Sequence, residues 1–304
     1  MDKIAITTGD PNGIGAEITI KALNKLNIPE DKIVLISNSK ILKFYGELNK
    51  NYEIIEIPFK AHIEPGKISK DCGEFAYQSL IKACEIKPKA IVTAPVAKNA
   101  LYLAGHEFNG QTEILQKFLA HDNQKAEMLF VAEDFRVLLL TRHCALKDIT
   151  ISKKMVVDKI NNLVEFFKNQ YGIFNPRFAL CAFNPHAGED GILGTEELEI
   201  LNPAVKALQE KGIDITYPTP ADTLFVDAAE RYYSHKKQHC DCYIASYHDQ
   251  GLIPIKTIAG KNTVNMTIGL DIIRTSPGHG TAFDIAGKNF ADESGMVAAI
   301  NAVF

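Results

Sequence analysis

Apolar and polar positions alternate along the first half of the chain in two rhythms. Short β-rich runs (KIAITTG, KIVLIS, YEIIEI, AIVTAP) are separated by stretches with helical spacing of apolar residues, such as GAEITIKALNKL and GEFAYQSLIKACEI. A strand period followed by a helix period, repeated, predicts crossover βα units on a parallel sheet. The alternation returns with FRVLLLT, the amphipathic ISKKMVVDKINNLVEFFKNQ, RFALCAFN, EELEILNPAVKALQEKG and CDCYIASYHD. The fold class is therefore α/β, and 304 residues suit two lobes, each with its own core. No fixed repeat, low-complexity tract or Pro/Gly/Ser linker marks where one lobe ends. The boundary stays unresolved, and the chain is expected to cross between lobes more than once.

Composition changes this picture little. A chain that is 46% hydrophobic and 23% charged, with a formal charge of -4, is ordinary for a globular protein. It carries no basic footprint for nucleic acid or an anionic membrane surface, so any bound anion must be met by local donors. No run reaches membrane-spanning length and KIAITTGDPNG has no secretory pattern, which leads us to expect a soluble cytoplasmic protein. The six cysteines lie mostly in apolar strand- or helix-like context and read as reduced structural thiols.

The candidate chemistry is concentrated where strands end. GDPNGIG, TAPVAK, TRHCAL, NPHAGEDG, PADTLF, YHDQG and SPGHG nearly all follow strand-like runs, and open α/β sheets bind ligands at the carboxyl ends of their strands. His143, His186 and His248 share this position. Three imidazoles would hold a divalent metal and leave sites open for substrate; hydrogen bonding in separate loops is the alternative. His62, His121, His235 and His239 lie in polar stretches and read as surface residues. TTGDPNGIGAE can present backbone N–H groups to an anion or form a tight structural turn, and it has neither a dinucleotide fingerprint nor a Walker lysine. Lys256, Asn265 and Arg274, in strand-like surroundings, suit phosphate or carboxylate recognition, with an ion pair to Asp249, Asp271 or Asp284 as the competing reading. Thr112 either contacts a ligand or caps the helix TEILQKFLA.

TTGDPNGIGAE, TAPVAK, GQTE, LLTRHCAL, NPHAGEDGILGTEE, PADTLF, YHDQGLIPIK and VNMTIGLDIIRTSPGHGTAFDIAG together resemble, from end to end, the 4-hydroxythreonine-4-phosphate dehydrogenase family of vitamin B6 biosynthesis. The resemblance implies two α/β/α lobes of the isocitrate and isopropylmalate dehydrogenase type, with the active site in the cleft between them, and a homodimer with active sites at the subunit interface. It places metal ligands at His143, His186 and His248, one of them supplied by the partner subunit. Substrate contacts fall on Gln111, Thr112, Lys256, Asn265 and Arg274, and an active-site aspartate on Asp222. The base is Asp222, Asp249 or a bound water, with orientation of the metal ligands as the alternative role for either aspartate. The implied cofactors are NAD or NADP and one divalent ion, Zn²⁺, Mg²⁺ or Co²⁺.

The implied reaction oxidises 4-phosphohydroxy-L-threonine to 2-amino-3-oxo-4-phosphooxybutanoate, which loses CO₂ to give 3-amino-2-oxopropyl phosphate. The chain departs from the family pattern in Gln111, where a substrate-contacting histidine is usual, and in Ala16, where proline is usual. Glutamine cannot carry a histidine's charge, so a dehydrogenase of threonate or erythronate 4-phosphate is the rival reading. A phosphate-ester acyltransferase, or a metal-binding protein without catalysis, would suit the same fold.

Overall fold

The computed structural model describes residues 2–121 and 124–304. The chain runs through β1 (Ile4–Thr7), α1 (Gly15–Leu26), β2 (Ile33–Ser37), α2 (Ser39–Tyr45), β3 (Glu53–Glu56), α3 (Lys70–Glu85), β4 (Ala90–Thr93), α4 (Lys98–Leu103) and α5 (Gln111–Leu119). It continues through β5 (Glu127–Ala132), β6 (Phe135–Leu139), α6 (Lys153–Tyr171), β7 (Arg177–Leu180), α7 (Asn202–Gln209), β8 (Asp214–Ile215), α8 (Ala221–Tyr233), β9 (Cys242–Ala245) and α9 (His248–Ala259). It ends with β10 (Val264–Ile268), β11 (Ile273–Pro277) and α10 (Ser294–Asn301). These elements form two compact units, Met1–Ala126 with Lys261–Phe304, and Glu127–Gly260. Among the described residues, no helix is long and apolar enough to cross a membrane.

In the first unit the strand order is β3-β2-β1-β4-β11-β10, parallel throughout except for the antiparallel pair β10–β11. Strands β1, β2 and β4 are buried at every position, as expected of parallel strands covered on both faces, whereas the edge strand β3 is partly exposed. Ser69 caps α3 by accepting the Cys72 N–H, and one face of that helix buries Phe75, Leu80 and Ala83 in a core shared with Val34, Ile36 and Ile91. Gly73 lets α3 approach α4: a Cβ there would lie 1.9 Å from the Ala100 carbonyl oxygen.

The GDPNGIG segment forms a tight, internally bonded turn. Its N–H groups are used within the unit: Asp10 donates to the Pro95 carbonyl, Asn12 to Asp10 Oδ1, Gly13 to the Asp10 carbonyl and Ile14 to the Thr281 carbonyl. Gly9 sits at φ 69°, where a Cβ would lie 2.3 Å from the Pro95 oxygen. These bonds occupy the N–H groups of Asp10, Asn12, Gly13 and Ile14, which therefore do not form an anion cradle.

The second unit has the order β5-β6-β9-β7-β8, with β5–β6 antiparallel and the rest parallel. Ser152 accepts the Met155 N–H to start α6, and Gly172 at φ 66° ends it, so the amphipathic stretch folds as its sequence predicts. A second core gathers Phe135, Val137, Leu139, Tyr243 and Ala245 from the sheet with Phe225 of α8 and Ile255 of α9. All six cysteine thiols are free, and only Cys144 is exposed.

Candidate active site

The three candidate histidines follow the carboxyl ends of β6, β9 and β7, which are consecutive neighbours in the sheet of the second unit. Leu139 and Ala245 are register partners, and the pairing extends beyond the strands as the Leu140 N–H donates to the Ala245 carbonyl and Thr141 N and Oγ1 both donate to the Ser246 carbonyl. This shared scaffold brings the rings of His143 and His248 to a centroid separation of 5.8 Å. Both line a cavity of about 180 Å³ with Thr141, Arg142, Tyr247 and Asp249. Asp249 Oδ1 lies 2.6 Å from His248 Nδ1. A carboxylate can only accept, so in neutral His248 the proton is on Nδ1 and the lone pair on Nε2.

His186 is held differently. Residues His186 to Asp190 have φ of 51°, 55°, 80°, 44° and 54°, a turn of left-handed helix in which only Gly188 is glycine. Left-handed backbone costs a residue with a Cβ about 1–2 kcal/mol. The turn is anchored from below by Glu197, 3% exposed, in the π-helical segment Glu197–Leu201. Its Oε1 accepts the N–H groups of Phe183 (2.8 Å) and Asn184 (2.7 Å), and its Oε2 accepts from Asn184 Nδ2 (2.9 Å). His186 itself is two-thirds exposed, with Nδ1 2.6 Å from Glu189 Oε1. That hydrogen bond, the charge of Glu189 and the field of Asp222 push the His186 imidazole up from its ordinary value.

By kind these donors suit a divalent ion, since a carboxylate on Nδ1 presents Nε2 outward in both His186 and His248. By placement the chain pairs His143 with His248 and leaves His186 on its own turn. Among the described residues, no group of three His, Cys, Asp or Glu side chains is placed to hold a metal ion. Asp222 is exposed in the first turn of α8. Lys256 is exposed on α9, so the strand-like reading of its surroundings is corrected: Ile253, Ile255 and Ile258 fall at helical positions despite their β preference, and Pro254 is accommodated within the helix.

Gln111, Thr112, Asn265 and Arg274 belong to the first unit. Arg274 is a register partner of Thr267 on β10 and of Ile91 on β4, and Asn265 is a partner of Ser276. Opposite residues share a face, as do residues two apart along a strand, so Thr93, Asn265, Thr267, Arg274 and Ser276 occupy one side of the sheet. Arg274 is 3% exposed, and its Nε and Nη2 donate to Thr93 Oγ1 at 2.8 and 2.6 Å. Among the described residues no carboxylate forms a salt bridge with it. Burial lowers its pKa to about 9, against the opposing field of Glu113, so the guanidinium is still charged at neutral pH.

Helix α5 covers this face. Thr112 Oγ1 is 3.5 Å from Thr267 Oγ1, and the helix cap position is Gly110, so Thr112 faces the sheet and is not the N-cap. Gln111 Nε2 donates to the Ala94 carbonyl, beside the Thr93 that holds Arg274. Gln111 Oε1 and Asn265 Oδ1 are buried with no partner. The ion pair considered for Arg274 is not formed; Asp271 instead meets His121 and Gln124. Thr93, Thr267, Glu189 and Glu197 escape the reading from sequence, although Thr93 lies in TAPVAK and Glu197 in GTEE, both singled out as motifs.

A family model described as "Pyridoxal phosphate biosynthetic protein PdxA" matches residues 4–303. The 4-hydroxythreonine-4-phosphate dehydrogenase of Zymomonas mobilis is 37% identical over 99% of this chain and 94% of its own. The D-threonate 4-phosphate dehydrogenase of Salmonella typhimurium is likewise 37% identical, over 98% of this chain and 96% of its own. The crystal structure of a 4-hydroxythreonine-4-phosphate dehydrogenase from Klebsiella pneumoniae matches with a TM-score of 0.85 at 32% identity, covering 100% of this chain and 98% of that one. An isocitrate dehydrogenase from Methylococcus capsulatus, at 14% identity, shares the fold alone, with a TM-score of 0.51 over 100% of this chain and 85% of that one.

Proposed function

Because this chain belongs to the family of the pyridoxal phosphate biosynthetic protein PdxA, we propose that it oxidises the C3 hydroxyl of 4-phosphohydroxy-L-threonine with NAD or NADP. The β-keto acid so formed loses CO₂ to give 3-amino-2-oxopropyl phosphate. The observation that carries this reading is Arg274, a buried guanidinium bonded to a neutral threonine and, among the described residues, without a salt bridge to a carboxylate. A desolvated cation in that state favours an anion from outside the protein. Asn265, Thr112 and Gln111 lie with it in the first unit, while Lys256, the other cation expected to meet an anion, belongs to the second.

A divalent ion held by His143, His186 and His248 would supply Lewis acidity at the substrate hydroxyl, and the nicotinamide would accept the hydride. The chain's own groups do the rest. Asp249 and Glu189 fix the tautomers of His248 and His186. Asp222 is exposed, near enough to His186 for its charge to act there, and we assign it the hydroxyl proton. Arg274 and Asn265 hold the anionic part of the substrate in place while the C3–H bond breaks. Since one chain pairs only two of the histidines, we infer a homodimer in which the partner subunit completes the ligand set. A cytoplasmic enzyme suits this chemistry.

The test is to supply the purified protein with 4-phosphohydroxy-L-threonine and NAD or NADP, with and without EDTA. The reading requires reduced-nicotinamide absorbance that EDTA abolishes and Zn²⁺, Mg²⁺ or Co²⁺ restores. No absorbance under any of these conditions would overturn it. D-Threonate 4-phosphate is the second reading, favoured by Gln111 and by the Salmonella relative. A higher kcat/KM on that compound would make it the substrate.

A further inference from the structure

We propose that Glu197 is a positioning residue whose buried carboxylate sets the geometry of His186 by holding the strained turn that carries it. This rests on the reading of His186 as a metal ligand. Two observations lead to it. A run of left-handed residues that includes His186, Ala187, Glu189 and Asp190 persists only where surrounding contacts over-determine it. On its far side the Ile192 and Leu193 N–H groups donate to the Glu189 and Gly188 carbonyls; at its entry the contacts converge on one side chain, since Glu197 accepts hydrogen bonds from Phe183 N, Asn184 N and Asn184 Nδ2.

The turn is closed against Glu197 as well. A Cβ on Gly188 would lie 2.9 Å from Glu197 Oε2 and 2.9 Å from the Gly194 oxygen, so the backbone at the middle of the turn passes directly over the carboxylate. Asn184 Nδ2 also donates to Glu196 Oε2 at 2.6 Å, which fixes the orientation of its amide. Among the described residues no lysine or arginine forms a salt bridge with Glu197, so N–H groups alone stabilise its charge. A carboxylate is required here because three donors point at it. A glutamine in the same place would direct its own N–H₂ toward Asn184 Nδ2. The carboxylate that touches His186 directly is Glu189; Glu197 acts one layer further back, on the backbone from which both project.

The test measures Zn²⁺ affinity of the metal-free protein by calorimetry for wild type, Glu197→Ala, His186→Ala and the double variant, with near-ultraviolet circular dichroism on each. Outer partners of metal ligands are worth about 10–100-fold in affinity, so Glu197→Ala is expected to weaken Zn²⁺ binding at least tenfold. If Glu197 acts through His186, that loss shrinks to under about threefold when His186 is already alanine. Equal losses on both backgrounds would overturn the proposal, as would a lower melting temperature with unchanged Zn²⁺ affinity. Unchanged affinity in His186→Ala would overturn the ligand assignment and this proposal with it. Weak binding in His186→Ala beside normal binding in Glu197→Ala would sink this proposal alone. Should Glu197→Ala fail to fold, Glu197→Gln keeps the volume and one acceptor, and a loss of Zn²⁺ affinity smaller than that of His186→Ala is expected. Wild-type affinity in that variant would refute the need for a carboxylate.

Discussion

Replacing Asp10 with asparagine is expected to stabilise the protein at neutral pH. The Asp10 side chain is fully buried, with Oδ1 accepting the Asn12 N–H at 2.9 Å and Oδ2 left without a partner. Burial outweighs the hydrogen bonds and raises its pKa from 3.8 to about 6. A carboxyl with a raised pKa binds its proton more tightly in the folded than in the unfolded chain. Stability is therefore lost as pH rises from 3.8 to about 6, and the full cost remains above that. At about 1.36 kcal/mol per pH unit, the cost approaches about 3 kcal/mol at pH 7 and roughly half of that at pH 5. Asp10→Asn removes the charge while retaining an acceptor for Asn12. The assay is thermal unfolding of both proteins at pH 5 and pH 7. The variant should melt higher by about 5 °C or more at pH 7, with a visibly smaller gap at pH 5. A gap of the same size at both pH values, or a variant less stable at pH 7, would refute the argument from buried charge.

Three further outcomes are expected. Arg274→Ala should raise KM for the phosphorylated substrate at least about tenfold through loss of charge-assisted hydrogen bonds, and steady-state kinetics with an unchanged KM would move the anion site elsewhere. Gln111→His should lower that KM, more at pH 6 than at pH 8 because the imidazole is then charged; a pH-independent rise would show that glutamine is the better-fitting residue here. Gly73→Ala should lower the melting temperature, since the added carbon meets the Ala100 carbonyl at 1.9 Å and separating α3 from α4 costs about 1–3 kcal/mol or more. An unaffected melting temperature would mean that the helices can shift at little cost.

Much of the frame was legible because period and caps agree locally. GAEITIKALNKL spans α1 from end to end, and ISKKMVVDKINNLVEFFKNQ gives α6 through its apolar stripe and the Ser152 cap. Where local preference and tertiary context disagree, the sequence misleads. The Ile- and Thr-rich surroundings of Lys256 read as a strand, yet helical contacts of Leu252 and Ile255 with the second core set α9 there. Of the β5–β6 hairpin, only FRVLLLT was recognised, because the apolar EMLFVA run has no alternation to distinguish it from a helix segment.

The site was legible by residue type and obscure in geometry. Strand-end histidines and Arg274 advertise themselves as chemistry, but the left-handed path through NPHAGED depends on φ angles that hydrophobic pattern does not encode. Glu197 likewise reads as one more acidic residue of a polar helix start. Only its burial beneath the turn distinguishes it from Glu196 and Glu199.

The order of strands in the first unit has a consequence for the chain while it is being made. β11 lies between β4 and β10, and both late strands follow the whole of 127–260. As the ribosome delivers the chain from its N terminus, β4 emerges as an open edge and stays so until β11, beginning at Ile273, arrives. Nascent chains are therefore exposed to wrong edge-to-edge pairing while 94–272 are made, and a chaperone that shields Ala90–Thr93 would act in that interval. The same order separates the two sets of candidate residues in time: a chain cut short after Gly260 carries His143, His186 and His248 but not the buried cation Arg274.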